Sequence, residues 1–504
     1  MTFTLAEIAE ILQCGPPLPA AARASGCSTG YSTGYSIDSR TIRPGDLFFA
    51  IVGRKLDGHD YVKQALDAGA AAAVVAAGRW NDFPEEVRPK LLGVPDTLEA
   101  LQRLAAAARR RWGGPLVAVT GSMGKTTTKQ MIAALLRTRY RVLENEGNLN
   151  NQYGLPLSLL RLEPETEVGV FELAMSAPGE TRLLAALAAP DLGVVTNVGP
   201  VHLEFFPDVD AIARAKYELI ETLGERAWAV LNADDPRVAR FGDRIPDRAV
   251  YFGTSRSAGF RAEDLSPNGN GGWAFRVSSA LPPAAFGALR TPPGLLQESG
   301  PGDSSAVCFH LPLLGRHNVL NALAALATGY LFGIPLAALQ DAVTGLRPGF
   351  MRGEIVRLAN GACVVDDCYN ANPSALEAML EAVRSLPAGR RIAVLGGMFE
   401  LGPAAGSLHA QCGARLAELG FDWLITVGEE ARAIAQGALS HGHPAERSIH
   451  VASPEEAGVW LRRELRDGDL VLLKASRAVH LESSWEQLAH FVPPGADVSR
   501  VGRQ

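Results

Sequence analysis

Apolar and polar residues change period several times along this chain, and the changes divide it into three stretches. The opening MTFTLAEIAEILQ spaces its apolar positions as one helix face, with Glu7 and Glu10 on the other, which predicts an amphipathic helix. Residues 26–36, GCSTGYSTGYS, repeat Ser-Thr-Gly-Tyr and read as a flexible loop. The turn signal Arg43-Pro44-Gly45-Asp46 then precedes a continuous apolar run, a buried strand at 47–52. Asp57-Gly58-His59-Asp60 leads into a helix at 61–68, and the alanine-rich run after it holds a strand at 73–75. An Arg-rich helix at 101–111 ends at Trp112-Gly113-Gly114-Pro115, a linker. The first stretch is therefore a small α/β unit.

From 115 to about 345, strand and helix patterns alternate, which predicts a mostly parallel sheet with crossover helices. Strands are expected at 116–119, 168–172, 192–195 and 227–231, with a further short one around Val142-Leu143. Between 255 and 308, Pro, Gly and Ser cluster, and the pattern reads as a hairpin-rich elaboration with a mobile loop. A strongly helical, alanine-rich segment follows from 314 to about 332. Gly345-Leu346-Arg347-Pro348-Gly349 is a second linker. Beyond it, strands at 363–366, 391–395, 423–427 and 470–473 alternate with helices, a second doubly wound α/β unit. The expected units are 1–112, 113–345 and 346–504.

Composition narrows the class without naming a function. The 504 residues are 47% apolar and 20% charged, as in an ordinary water-soluble globular chain. A net charge of −6 gives no basic footprint for nucleic acid. The 6 cysteines are scattered and form no C-x-x-C pair, so neither a disulfide framework nor a zinc site is indicated. No apolar run has the length of a membrane span, and the N-terminus does not read as a signal peptide, so the cytoplasm is the expected compartment. The last unit has no G-x-G-x-x-G after its first strand, so no dinucleotide cofactor is indicated.

The densest chemistry lies in LVAVTGSMGKTTT, 116–128. A strand stops at Thr120, Gly121 and Gly124 bracket Ser122 and Met123, and Lys125-Thr126-Thr127 opens a helix. That arrangement aims loop N–H groups and the positive helix end at a phosphate, with Lys125 adding charge and the Thr126 hydroxyl available to Mg²⁺. Val119 stands where the full Walker pattern has its first glycine, so the loop has the shorter G-x-x-G-K-T form. Glu172 ends an expected strand, where doubly wound sheets place ligands, although a strand-end carboxylate can equally be a solvated surface group. His202 and Glu204 follow another strand, and a lone histidine is more often structural than a ligand. Lys216 lies on a polar helix, and spacing alone makes it a solvated surface lysine. Asn148, Asn150 and Asn151 could cap a turn or bind a ligand rich in amides and hydroxyls. Asp366-Asp367-Cys368-Tyr369-Asn370-Ala371-Asn372-Pro373 marks a second ligand edge.

Taken together, TGSMGKTTTK (120–129), EGNLNNQYGLPLSLLRL (146–162), ELAMSAPGE (172–180), TNVGPVHLEFF (196–206), ARAKYELIE (213–221), GRHNVLNALAA (315–325), RGE (352–354), DDCYNANPSALEAML (366–380) and LKASR (473–477) resemble the Mur ligases, in order and across all three units. The NLNN…GLP and DDCYNANP segments are similar to the member that adds D-alanyl-D-alanine, and the Asp-Asn-Pro-Arg signature of the meso-diaminopimelate-adding sibling is absent. The resemblance implies a three-domain α/β enzyme: a small N-terminal UDP-binding domain, a central P-loop ATPase domain with a parallel sheet, and a C-terminal Rossmann-like domain. It implies that the γ-phosphoryl group of ATP passes to the terminal carboxylate of a UDP-linked muramyl tripeptide. The amine of D-Ala-D-Ala then displaces phosphate from that acyl phosphate. Mg²⁺ and Lys125 would offset the repulsion between the two anions.

The same resemblance implies residue roles. Gly121, Ser122, Met123, Gly124, Lys125, Thr126 and Thr127 would hold ATP, with Asn318 and Asn321 at the adenine. Thr126 and Glu172 would hold one Mg²⁺ and His202 a second. Lys216 would be carbamylated by CO₂, becoming an oxygen donor to the metal, a reaction that needs the neutral amine desolvation favours. Arg352 and Asp367 would bring the last domain onto the nucleotide. Ser39 and Arg40 would meet the uridine diphosphate, Asn148, Asn150 and Asn151 the substrate, and Lys474, Ser476 and Arg477 the acceptor side. The family pattern departs at Met123 (usually Asn), Ala174 (Gly), Cys368 (Ser), Gly397 (Asp) and Ala475 (Gly), and the two alanines demand a non-positive φ. A monomer is expected. Three other readings stay open: a sibling ligase adding a single amino acid, a non-catalytic nucleotide-sugar-binding relative, and a P-loop hydrolase.

Overall fold

The computed structural model describes residues 1–14, 32–53, 55–269, 271–281, 285–289 and 306–491. It is a three-domain α/β protein in which each domain is built on its own sheet. The first sheet has four parallel strands in the order β1-β2-β3-β4: β1 (Gly34–Ser36), β2 (Asp46–Phe49), β3 (Ala72–Ala76) and β4 (Leu91–Val94). β1 corrects the loop expected at 26–36: its end, Gly34–Ser36, pairs with β2. A side chain at Gly34 would meet the Asp46 carboxylate at 2.4 Å, so the repeat's glycine is what lets the strand close in. The part of that expected loop at 26–31 lies outside the described residues.

The central sheet has nine strands in the order β13-β12-β11-β10-β9-β8-β5-β7-β6. In chain order these are β5 (Leu116–Thr120), β6 (Val142–Glu144), β7 (Val168–Glu172), β8 (Leu192–Val195) and β9 (Trp228–Asn232). They continue as β10 (Ala249–Gly253), β11 (Phe260–Pro267), β12 (Trp273–Ser279) and β13 (Val307–Leu311). β11, β12 and β13 pair antiparallel, so the described part of the 255–308 stretch is an antiparallel extension of the parallel sheet. Of the 255–308 stretch in which a mobile loop is expected, residues 270, 282–284 and 290–305 lie outside the described residues. The helices Lys125–Leu136 and His317–Leu331 pack on one face with Val117, Val119, Phe252 and Phe260.

The opposite face merges with the first domain. Phe3, Leu47, Leu101 and Leu104 share one apolar cluster with Leu116, Leu155, Phe171 and Leu184. The helix Thr97–Trp112 lies between the two sheets because its stripe Ala100, Leu104, Ala108 and its neighbour Leu101 are all buried. Arg109 ties it to the central domain, donating to the carbonyls of Ala188 and Ala189 and to Asp191. The expected helix 101–111 therefore starts earlier, at an N-cap where Asp96 accepts from the Glu99 N–H.

The third sheet has the order β14-β15-β19-β16-β17-β18: β14 (Glu354–Arg357), β15 (Cys363–Asp366), β16 (Arg390–Gly396), β17 (Trp423–Val427), β18 (Ser448–Val451) and β19 (Asp469–Lys474). Only its edge strand β14 runs antiparallel. Strands β4, β10, β14 and β18 had no sequence signal strong enough to place them: each is four or five residues long, and β14 and β18 show no fully buried position. No helix among the described residues is long and apolar enough to cross a membrane.

Candidate active site

β5 is buried at every position and delivers the chain to the loop Gly121–Gly124. Gly121 and Gly124 take φ of +150° and +75°. A Cβ on Gly121 would lie 1.9 Å from Thr196 Oγ1, and one on Gly124 would lie 2.4 Å from Asn321 Oδ1. The two glycines therefore let the loop sit against β8's exit and the helix His317–Leu331 at once. The loop backbone is pinned from the Thr196-Asn197 side. Ser122 N–H donates to Asn197 O and Met123 N–H to Asn197 Oδ1, both at 2.9 Å, while Met123 O accepts from Thr196 Oγ1 at 2.6 Å. These contacts use only the backbone of Met123, which explains how methionine stands there without disturbing the loop.

Glu172 ends β7 beside the loop and is 3% exposed. Its Oε2 accepts from Thr126 Oγ1 at 2.7 Å and its Oε1 from Asn150 Nδ2 at 2.9 Å. Asn145 fixes this strand end, accepting from Glu172 N–H and donating to Glu172 O. Sequence reasoning passed over Asn145; its position immediately after β6, at the ligand edge, was the available signal. Arg352 reaches across from the third domain, donates to Thr126 Oγ1 at 3.0 Å, and stacks its guanidinium 4.1 Å over the Tyr369 ring.

Lys216 is not the solvated lysine its spacing suggested. It is 1% exposed, and its Nζ donates to Gly121 O at 2.9 Å. The helix Val209–Thr222 turns its Ile212, Ala215, Lys216 and Leu219 face inward, so the lysine shares the apolar stripe's position. Burial, with the Lys125 charge beside it, holds its amine well below the usual lysine range, toward the neutral form. Lys125 is itself lowered by burial and by Arg352, against the opposing pull of Glu172.

Asn318, Asn321 and Thr128 form a chain: Thr128 Oγ1 donates to Asn321 Oδ1, and Asn321 Nδ2 to Asn318 Oδ1. From the third domain, Lys474 Nζ pairs with Asp367 and donates to Asn370 O at 3.1 Å. Ser476 Oγ donates to Ala371 O at 3.2 Å, and Arg477 pairs with Glu482. Asp366, just before Asp367, accepts from Cys368 N–H and Trp485 Nε1, yet burial pushes its carboxyl up to about 6. Ala174 and Ala475 both avoid positive φ, as alanine requires. A side chain at Gly397 would meet Glu430 Cβ at 2.8 Å, so this chain has no room there for the family's aspartate.

One cleft of about 1160 Å³ brings these groups together. Its lining includes Ser122 to Thr127, Asn148, Asn150, Asn151, Glu172, His202, Asn318, Asn321, Arg352, Asp367, Lys474, Ser476 and Arg477. Asn151 spends its Oδ1 on the Tyr153 and Gly154 N–H groups, capping the helix Gly154–Leu160. His202 pairs through Nδ1 with Glu400 of the third domain, not with Glu172 or Thr126. Ser39 and Arg40 lie outside the cleft lining: Ser39 Oγ donates to Gln64 Oε1, and the exposed Arg40 folds onto Asp38.

The chain matches described families and proteins along nearly all of this architecture. Residues 32–109 match the Mur ligase family catalytic domain, 119–329 the Mur ligase middle domain, and 351–477 the Mur ligase glutamate ligase domain. The chain is 36% identical to the UDP-N-acetylmuramoyl-tripeptide–D-alanyl-D-alanine ligase of Bacillus subtilis, over 88% of this chain and 90% of that one. Its fold superposes on the crystal structure of MurF from Acinetobacter baumannii with a TM-score of 0.82 at 25% identity, covering 97% and 99% of the two chains. The MurF ligase from Thermotoga maritima, in complex with ADP, matches with a TM-score of 0.75 at 29% identity over 91% and 97%. With three domains, a glycine loop facing a buried lysine, and relatives of this identity along most of its length, the chain belongs to the Mur ligase family.

Proposed function

We propose that this chain is an ATP-dependent, ADP-forming ligase that joins D-alanyl-D-alanine to UDP-N-acetylmuramoyl-tripeptide, giving the UDP-linked pentapeptide precursor of peptidoglycan. The observation that carries the reading is the cleft itself. A phosphate loop with its lysine and a buried carboxylate from the central domain face Arg352, Asp367 and Lys474 of the last domain, and Lys216, drawn by burial toward the neutral form, reaches the loop at Gly121 O. A hydrolase needs the first half of that set; joining two substrates also needs the second.

In this mechanism the Gly121–Gly124 backbone and Lys125 bind the β- and γ-phosphates, and Asn318 and Asn321 hold the adenine. The tripeptide carboxylate attacks the γ-phosphorus and ADP leaves. The D-Ala-D-Ala amine then attacks the acyl carbon, phosphate leaves, and the amine proton is lost. Arg352 and Lys474 supply positive charge where two anions are pressed together, and Arg352 completes the site only when the last domain is in place. Asn148 and Asn150 face the substrate, and Ser39 and Arg40 the uridine diphosphate on the first domain. Ser476 and Arg477 stand on the acceptor side.

Mg²⁺ fits the donors present. The Thr126 hydroxyl and the Glu172 carboxylate lie 2.7 Å apart at the loop, a pair of hard oxygens suited to that ion. Among the described residues no cluster of three His, Cys, Asp or Glu side chains gathers to hold a metal. The remaining ligands would therefore be phosphate oxygens, water, a carbamate on Lys216, and His202 for a second ion. The bound ion would offset charge on the transferring phosphoryl group. Burial draws the Lys216 amine toward the neutral form that CO₂ addition requires.

We assign 1–112 to UDP-substrate binding, 113–345 to ATP, and 346–504 to D-Ala-D-Ala and closure. Soluble nucleotide substrates support a cytoplasmic reaction. Mass spectrometry of the UDP-linked product tests the reading: it should gain one D-alanyl-D-alanine less water. A gain of one amino acid on a shorter muramyl peptide would assign the sibling reaction instead. Binding of the UDP-sugar without product would assign the non-catalytic reading.

A further inference from the structure

His202 and Glu400 belong to different domains, and each takes a left-handed backbone conformation, with φ of 56° and 62°. Neither is glycine, so each conformation is strained and must be imposed by its surroundings. The surroundings are on view. The Glu400 loop is held to its own domain by Met398 N–H donating to His409 Nε2 at 2.9 Å and Phe399 N–H to Ser476 Oγ at 3.2 Å. His409 is itself buried and oriented by Ala405 O at 2.7 Å from its Nδ1. Across the interface, Glu204 N–H donates to Glu400 O at 3.1 Å, and Gly402 approaches so closely that a Cβ there would lie 3.0 Å from Leu203 O. Two strained residues are thus aimed at one another, and the Glu400 carboxylate takes the His202 Nδ1.

We propose that Glu400 is a positioning residue: lent by the last domain, it fixes the ring orientation and tautomer of His202, so that Nε2 presents its lone pair to the cleft only when the two domains are together. A neutral imidazole that donates from Nδ1 has its acceptor at Nε2, and a carboxylate on Nδ1 selects that tautomer. His202 and Glu400 both line the cleft, with side-chain exposures of 25% and 47%. Assembly of the domains is thereby coupled to readiness of one cleft side chain. The inference rests on the proposed ligase reading only for its activity readout.

The test compares Glu400→Ala with Glu400→Gln in the full chain, a half-exposed side chain whose truncation leaves the core intact. Histidines are labelled with ¹⁵N, and His202 is assigned by its loss in His202→Asn. In the parent protein and in Glu400→Gln, whose amide oxygen still accepts, the Nδ1–H tautomer should dominate. In Glu400→Ala the ratio should move toward Nε2–H. Ligase kcat should fall about 10- to 100-fold in Glu400→Ala with KM for ATP within about twofold, and Glu400→Gln should recover most of it. An unchanged tautomer ratio in Glu400→Ala overturns the proposal, as does a kcat equal to the parent's. If the parent protein makes no product, the ligase reading fails while the tautomer measurement still decides this one.

Discussion

Lys125 and Lys216 donate to the same oxygen, the carbonyl of Gly121, at 3.0 and 2.9 Å. Two amines drawn to one acceptor in a buried space cannot both carry full charge at low cost, and burial lowers both, Lys216 the further. The loop residue that begins the phosphate cradle is therefore also the point where the cradle's lysine and the lysine proposed for carbamylation meet. Among the described residues, Lys216 has no carboxylate partner to hold it charged, and its hydrogen bond goes to that carbonyl.

Replacing Lys216 by alanine should lower ligase activity at least about 100-fold, the scale seen when one positioned group is removed from a reaction centre. Bicarbonate should not restore it. ¹³C-bicarbonate should give a carbamate signal in the parent protein that is missing from Lys216→Ala. Full activity in the variant removes Lys216 from the reaction.

Gly124→Ala should damage the cradle in two ways. The added methyl meets Asn321 Oδ1 at 2.4 Å, and alanine is strained at φ +75°. Displacing Asn321 breaks the Thr128–Asn321–Asn318 chain. A stability loss of about 1–3 kcal/mol is expected, with KM for ATP raised at least about tenfold. Calorimetric titration with ATP and a thermal melt measure both; unchanged ATP affinity contradicts the proposed role of the loop.

Two desolvated groups tilt stability with pH in opposite directions. His317 is held down to about 4 by burial and by Lys474, so between pH 4 and 6.5 the unfolded chain binds a proton that the folded chain refuses. Stability from this site is present above pH 6.5 and is lost as pH falls toward 4. Asp366, raised to about 6, does the reverse: the folded chain holds the extra proton below pH 6, and stability falls as pH rises from 4 to 6. Because the His317 ring keeps some exposure to the cleft, its slope should be shallower than a full proton's. His317→Gln should remove that share, so its melting temperature drops less than the parent's between pH 7 and 5. An equal drop in both proteins contradicts the assignment.

What the sequence could and could not reveal follows from the range of each interaction. The loop at 121–126 was legible because strand, glycines, lysine and helix start are contiguous, and the structure keeps that order. Glu172 was legible from its place at the end of a strand. Lys216 was not, by spacing alone: its burial depends on packing against a loop 95 residues earlier. Glu400 carried no signal at all, since its partner lies 198 residues away and the contact exists only between domains. β1 was hidden by a repeat whose small residues look like a linker but allow close approach to Asp46.

The most direct test of the central claim is phosphate release under substrate omission. With the UDP-tripeptide, D-Ala-D-Ala, ATP and Mg²⁺ all present, phosphate should appear, and leaving out any one of them should abolish it. Equal release without the dipeptide would contradict the ligase account and make the cleft that of a hydrolase.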